Sequence, residues 1–122
     1  MLEGKPLDNF KATKDRVSEL LIEDIKVGEG QEVKSGQTVT AHYTGAQVDD
    51  GIVFQSSLDT GSPFSASLNQ LIKGWQIGIP GMKVGGKRRL TIPADQAYGE
   101  VSRGGRPAGD LVFDIEILDV KK

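Results

Sequence analysis

The strongest constraint on this chain is period-two alternation of apolar and polar residues, recurring in segments far apart in sequence. In SGQTVTAHYTG, Val39, Ala41 and Tyr43 alternate with Thr38, Thr40, His42 and Thr44. In KRRLTIP, Leu90 and Ile92 alternate with Arg89 and Thr91. In LVFDIEILDV, Leu111, Phe113, Ile115 and Ile117 share one phase. Successive side chains of a strand point to opposite faces, so each segment reads as a strand with one buried face. Between the first of these and its neighbour IVFQSS stands the turn VDDG, which makes a hairpin and sets Ile52 and Phe54 on one side. VSELLIEDIKV, rich in branched apolar residues and stopped by Gly28 to Gly30, reads as a further strand, and FSASL as a short one.

One segment breaks the alternation. In NQLIKGWQIGI, residues Leu71, Ile72, Trp75 and Ile79 fall at helical spacings, with Asn69 as the expected N-cap and Gly78, Pro80 and Gly81 as the stop. The result is an antiparallel α+β domain of five strands, one short helix covering a face of the sheet. ADQAYGEVSRGGRPAGD is a long glycine-rich loop before the last strand. Residues 1–16 are polar and weakly patterned, an N-terminal extension expected to be flexible or loosely docked, and 17–122 form the domain.

Composition enters mainly by exclusion. A length of 122 residues suits one core. The formal net charge of −2 gives no general pull toward nucleic acid or anionic lipid. No cysteine is present, which removes disulfides, thiolate chemistry and cysteine zinc sites and suits a reducing cytoplasm. No signal peptide and no membrane span are expected. Gly81, Gly86 and Lys87 fit a phosphate-binding loop in part, but Arg88 stands where Ser or Thr should hold magnesium, and a strand follows where a helix should. His42, the only histidine, lies off the inward phase and has no second imidazole for metal. Lys83, Lys87, Arg88 and Arg89 read as a solvated basic face, and Asp49–Asp50 as turn residues. No metal or cofactor is expected.

What remains is an aromatic set: Tyr43, Phe54, Phe64, the single tryptophan Trp75, Tyr98 and Phe113. Such rings ordinarily form the core; Tyr98 falling in a loop and Trp75 among glycines weigh against that reading for the whole set and point to a ligand. A ring of aromatics with a few hydroxyls suits an apolar cyclic group.

At these residues the chain resembles the FKBP-type peptidyl-prolyl cis-trans isomerases over about residues 17–122. VKSGQTVTAHYTG resembles the family's first long strand, DDGIVFQSS its aromatic hairpin and SPF its loop phenylalanine. LIKGWQIGIPGMKVGGKRRLTIPADQAYG resembles its helix, turn and strand, and LVFDIEILDV its last strand. The resemblance implies a five-stranded antiparallel half-barrel wrapped around one short helix, and acceleration of rotation about X-Pro bonds during protein folding. It implies that Trp75 floors a proline pocket, with glycines bringing its helix close to the sheet and leaving the indole face open. Tyr43, Phe54, Leu71, Ile72, Tyr98 and Phe113 would wall the pocket, with Phe64 at the rim. Catalysis would fall to Tyr98, Phe113, Trp75, Phe54 and Tyr43, without cofactor. The Ile72 N–H and the Tyr98 hydroxyl would donate to ligand carbonyls.

Two positions depart from the family pattern. Gln55 stands where an acid normally follows the hairpin phenylalanine and pairs with the tyrosine at Tyr43, so macrolides of the rapamycin type are expected to bind weakly. The loop after Tyr98 is short, with Arg106 where an isoleucine is common and Pro107–Ala108 for a Pro-Pro pair. Expected partners are proline-containing polypeptides, with neither nucleic acid nor membrane, for a cytoplasmic monomer. The alternative of another class is a non-catalytic proline-peptide binding module or accessory chaperone, which would not speed a proline-limited refolding phase.

Overall fold

A computed structural model describes residues 2–99 and 109–121. In chain order the strands are β1 (Leu21–Lys26), β2 (Thr38–Gln47), β3 (Val53–Ser56), β4 (Phe64–Ser67), β5 (Lys87–Ile92) and β6 (Leu111–Lys121). Helix α1 (Ser57–Thr60) lies between β3 and β4, and α2 (Lys73–Gly78) between β4 and β5. The sheet runs β1-β5-β6-β2-β3, with β4 also paired to β2, and every pairing is antiparallel. The five-position sheet expected from the alternation is therefore present, its last position divided between two short strands. Helix α1, a single turn capped by the Ser56 hydroxyl on the Leu58 N–H, fills the division.

The inward phases meet as expected. Val39, Ala41, Leu90, Ile92, Leu111, Phe113, Ile115 and Ile117 are buried with Trp75 and Ile79 of the α2 segment. Helix α2 lies close on β5 because it has glycine where it touches. A Cβ on Gly74 would fall 2.6 Å from Ile92 Cγ2, and one on Gly78 2.7 Å from Leu90 Cδ2. Helix α2 begins later than expected. Its N-cap is Ile72, without a side-chain cap, while Asn69 sits in a 3-10 turn over Leu68–Gln70 capped by Ser67. A separate turn intervenes because Leu71 is extended (φ −104, ψ 169), so the apolar spacing that seemed one helix spans two elements.

The N-terminal segment departs from the loosely docked extension of the sequence reading. It crosses the hairpin of β2 and β3 and bonds to it. Gly4 N–H donates to Val53 C=O at 2.8 Å, Val53 N–H to Lys5 C=O at 2.9 Å, and Leu7 N–H to Gly51 C=O at 2.8 Å. Leu7 is buried in a second apolar cluster on the outer face of the sheet, with Ala46, Val48, Val53 and Val112. Leu2, Phe10 and Val17 pack against it. These outward-phase apolar residues of β2, β3 and β6 need a cover, and the segment supplies it.

Nor are Arg88 and Arg89 a solvated basic face. Arg88 donates to Asp24 Oδ1 at 2.6 Å and to the C=O of Gly78 at 2.8 Å, tying β1 and the end of α2 to β5. Arg89 binds Asp114 and the N-terminal segment. Asp110 gathers the chain at the other end of β6, accepting the N–H of Val17 at 2.7 Å and of Ala94 at 2.9 Å. No helix among the described residues is long and apolar enough to cross a membrane.

Candidate functional site

Trp75 is the centre of the site. Residues on β2, β4 and β6 bring three rings edge-on to the indole. Phe113 stands 5.2 Å from it at 87°, Tyr43 5.5 Å at 72° and Phe64 5.8 Å at 89°. Phe54 extends the cluster by meeting Phe113 at 5.8 Å and 89°. Near-perpendicular contacts set the positive ring edge against the negative face, the favoured geometry of aromatic pairs. The cluster therefore fixes the orientation of each ring as well as its position.

Gly45 makes that arrangement possible. It lies opposite Phe113 on β6, and a Cβ there would fall 2.6 Å from Phe113 Cε1 and 2.7 Å from Phe54 Cζ. The two phenylalanines thus close over a strand residue without a side chain. Gly45 carries no ring or charge, so its role was missed in the sequence; the signal available was a glycine on the inward phase of a strong strand.

Of the nine residues assigned to the site from sequence, seven lie in or against the core cluster that holds Trp75. Tyr43, Phe54, Phe64, Leu71 and Ile72 are half-buried against the core that holds Trp75 and Phe113. Phe64 starts β4 and is not in a loop. Tyr98 follows the 3-10 turn Ala94–Gln96 and is 36% exposed. Burial pushes the Tyr43 phenol up, and the neighbouring Tyr98 phenol pushes it the same way, so Tyr43 is a neutral donor across the usual pH range. Gln55, the ninth, lies opposite Gly45 on β3 and is exposed. Arg106, Pro107 and Ala108, the loop positions where the family pattern is broken, lie outside the described residues.

The indole is more enclosed than an open face would require. Trp75 is only 5% exposed, and its Nε1 is buried with no nitrogen or oxygen partner among the described residues. Its surroundings are rings and aliphatic side chains of the core, an apolar environment in which polar groups exert stronger fields than in water. The α2 N-terminus adjoins it. Trp75 N–H donates to Ile72 C=O at 3.0 Å, and Gln76 Nε2 to Leu71 C=O at 2.7 Å, which fixes the two apolar residues ahead of the helix. No cluster of three or more metal-ligating side chains occurs among the described residues. The chemistry available is that of an apolar aromatic cluster with the half-buried Tyr43 phenol in it, suited to an apolar ring and an adjacent polar amide.

Comparison with known proteins points to one family. The family model for FKBP-type peptidyl-prolyl cis-trans isomerase matches residues 29–118. The chain is 50% identical over 101 residues to a probable FK506-binding protein of Corynebacterium glutamicum, covering 82% of this chain and 86% of that one. Among solved structures it is similar to FkpA from Escherichia coli, with a TM-score of 0.77 and 36% identity, covering 94% of this chain and 53% of that longer one. It is also similar to a peptidyl-prolyl cis-trans isomerase of Pseudomonas syringae, with a TM-score of 0.73 and 33% identity, covering 84% of this chain and 76% of that one.

Proposed function

The chain belongs to the FKBP-type peptidyl-prolyl cis-trans isomerases, and on that premise we propose that the aromatic cup around Trp75 is where it turns the X-Pro bond. The observation that carries this is the set of three rings edge-on to one enclosed indole. A proline ring is apolar, compact and without an N–H, so it suits a dry aromatic cup. Tyr43, Phe54, Phe113, Leu71 and Ile72 supply the walls, Phe64 the rim and Trp75 the floor.

Rotation about X-Pro is slow because resonance stiffens the C–N bond, with a barrier of ~18–20 kcal/mol. The planar amide is more dipolar than the twisted one, so a dry pocket disfavours the ground state relative to the twisted transition state. Tyr98 holds the carbonyl beside the ring, and the Ile72 N–H holds a neighbouring one, while the remaining chain turns. An acceleration of ~10⁴–10⁶ requires about 5–8 kcal/mol of preferential transition-state binding. Desolvation, ring orientation and two hydrogen bonds meet that need without a nucleophile. Family membership favours this enzyme over a non-catalytic binding module.

Proline-containing polypeptides are the substrate class in this reading, and macrolides of the rapamycin type are ligands of the same cup, weakened by Gln55. A cytoplasmic monomer is part of the same reading, tested by cell fractionation and sedimentation. The deciding experiment for the cup is refolding of an unrelated protein limited by proline isomerisation. Catalytic amounts speed the slow phase, and Trp75→Leu, if folded, abolishes most of that effect. A Trp75→Leu variant as active as the parent would place the chemistry elsewhere.

A further inference from the structure

The division in the outer edge of β2 falls at the cup. β4 pairs with Thr38 to Ala41, and β3 with Thr44 to Ala46. His42 and Tyr43 lie between the two ladders, and the main-chain groups of Tyr43 face the gap. Serine hydroxyls replace the missing strand. Tyr43 N–H donates to Ser57 Oγ at 2.8 Å, and Tyr43 C=O lies 3.2 Å from Ser56 Oγ and 3.3 Å from Ser57 Oγ. Both serines are buried, so water does not serve instead.

A hydroxyl has one proton and two lone pairs, so the direction in which Ser57 donates has to be decided by its surroundings. Ser57 Oγ lies 2.9 Å from His42 Nδ1, closer than to Tyr43 C=O. With Nδ1 unprotonated, Ser57 donates to the imidazole. With a proton on Nδ1, the imidazole donates and Ser57 turns its proton to Tyr43 C=O. Either way the Ser57 proton has an acceptor and Tyr43 N–H keeps its own. His42 thus partners one of the two serines that stand in for strand pairing at the residue that carries a cup phenol.

We propose that His42 is a positioning residue of the isomerase, acting through Ser57 on the backbone of Tyr43. The inference rests on Tyr43 being a wall of the proline cup. Neighbouring side chains of a strand leave by opposite faces, so the imidazole itself stays on the far side of β2 from the cup. Its influence travels through one hydroxyl and one peptide unit. A one-residue coupling of this kind sets where the Tyr43 ring stands against Trp75, at 5.5 Å and 72°.

The test compares kcat/KM on a proline-containing peptide for the full chain and four variants. An asparagine at 42 sets its amide oxygen near the position of Nδ1, and a glutamine sets it near Nε2. His42→Leu is expected to lose about five-fold in kcat/KM, the value of one neutral hydrogen bond. His42→Asn is expected to recover to within about two-fold of the parent on the same scale, and His42→Gln to stay low. Circular dichroism at the assay temperature confirms that each is folded. A lowered melting temperature of His42→Leu with unchanged kcat/KM overturns the proposal, and so does equal recovery by Asn and Gln. If His42→Leu does not fold, the Asn and Gln pair decides alone. Tyr43→Leu separates the two levels of the argument. If it is as active as the parent, the cup assignment falls and the proposal with it. If it is impaired while His42→Leu is normal, only the network fails.

Discussion

Arg89 holds Asp114 in a two-pronged grip, Nε on Oδ1 at 2.7 Å and Nη2 on Oδ2 at 2.9 Å, from the neighbouring strand. The same guanidinium donates to the C=O of Asn9 and of Asp8, each at 2.7 Å, and lies 5.7 Å from the centre of the Phe10 ring. One side chain therefore locks β5 to β6 and fastens the N-terminal segment over both. The paired carboxylate also holds the Arg89 guanidinium above its ordinary range.

Arg89→Lys is expected to keep the charge and lose the fork. A lysine has no planar pair of N–H groups to match a carboxylate while reaching two carbonyls. The expected cost is about 1–2 kcal/mol of stability, with kcat/KM of the folded protein little changed, since none of these contacts touches the cup. Deleting residues 2–12 should cost more, because it also uncovers Val48, Val53 and Val112. Urea denaturation checks both, and a deletion as stable as the parent would show that the outer cluster contributes nothing.

Phe113→Ala and Tyr98→Phe are expected to differ in kind. Phe113 is buried and touches Trp75, Tyr43 and Phe54, so truncation costs about 3–5 kcal/mol as well as activity. Loss of the Tyr98 hydroxyl is expected to lower kcat/KM and leave the melting temperature nearly unchanged, because that side chain is 36% exposed. Equal losses of stability would make Tyr98 an ordinary packing residue.

Gly45→Ala tests the approach of the two phenylalanines. The added methyl meets Phe54 and Phe113 well inside contact distance, and such overpacking costs about 1–3 kcal/mol. Peptide turnover is expected to fall in step, as both rings are displaced from the cup. Intact turnover in a destabilised variant would mean that the Phe54 and Phe113 rings are not needed in this arrangement.

Gln55→Asp is expected to tighten a macrolide of the rapamycin type by roughly ten-fold, since a carboxylate accepts hydrogen bonds about twice as strongly as an amide oxygen. Gln55 is exposed, which keeps the desolvation cost of the new charge small. Trp75 fluorescence reports the titration. Parent binding as tight as that of the variant would show that the amide is an adequate replacement.

Asp59 makes stability depend on pH in a defined direction. Its carboxylate accepts the N–H of Leu2 at 2.6 Å and of Glu3 at 2.9 Å, and these bonds hold its pKa below the ordinary 3.8. A carboxyl depressed by folding contributes stability above its unfolded pKa and loses it as pH falls through the folded one. Acidification below about pH 4 should therefore narrow the difference in melting temperature between the parent and Asp59→Asn. A constant difference down to pH ~2 would exclude the carboxylate as its source.

The inner half of this fold was legible in the sequence because alternation exposes it: Val39, Ala41, Leu90, Ile92 and the β6 residues are buried as their phase requires. The outer half was not. Leu2, Leu7 and Phe10 follow neither a helical nor a strand period, since an irregular segment has no period to show. The readable signal was on the partner, where Val112 is apolar on the outward phase between Leu111 and Phe113 and so announces a second layer. In the site, rings were legible by their chemistry. Gly45 and Ser57 were not, because one acts by lacking a side chain and the other by bonding a backbone distant in sequence. Asn69 was misplaced as the cap because Leu71 and Ile72 keep helical spacing across a turn that is not helix.

The middle of this sheet is made from its last strand. β6 lies between β5 and β2, pairing Gln47 with Leu111 and Thr38 with Lys121. On a ribosome, β2 and β5 each emerge with one edge unpaired and wait for residues that are synthesised after them. Because long-range pairing must close large loops before it is rewarded, the nascent chain remains an open, aggregation-prone polypeptide until β6 is out. A protein of a folding-catalyst family thus passes through its own synthesis as the kind of unfolded chain that its family acts on.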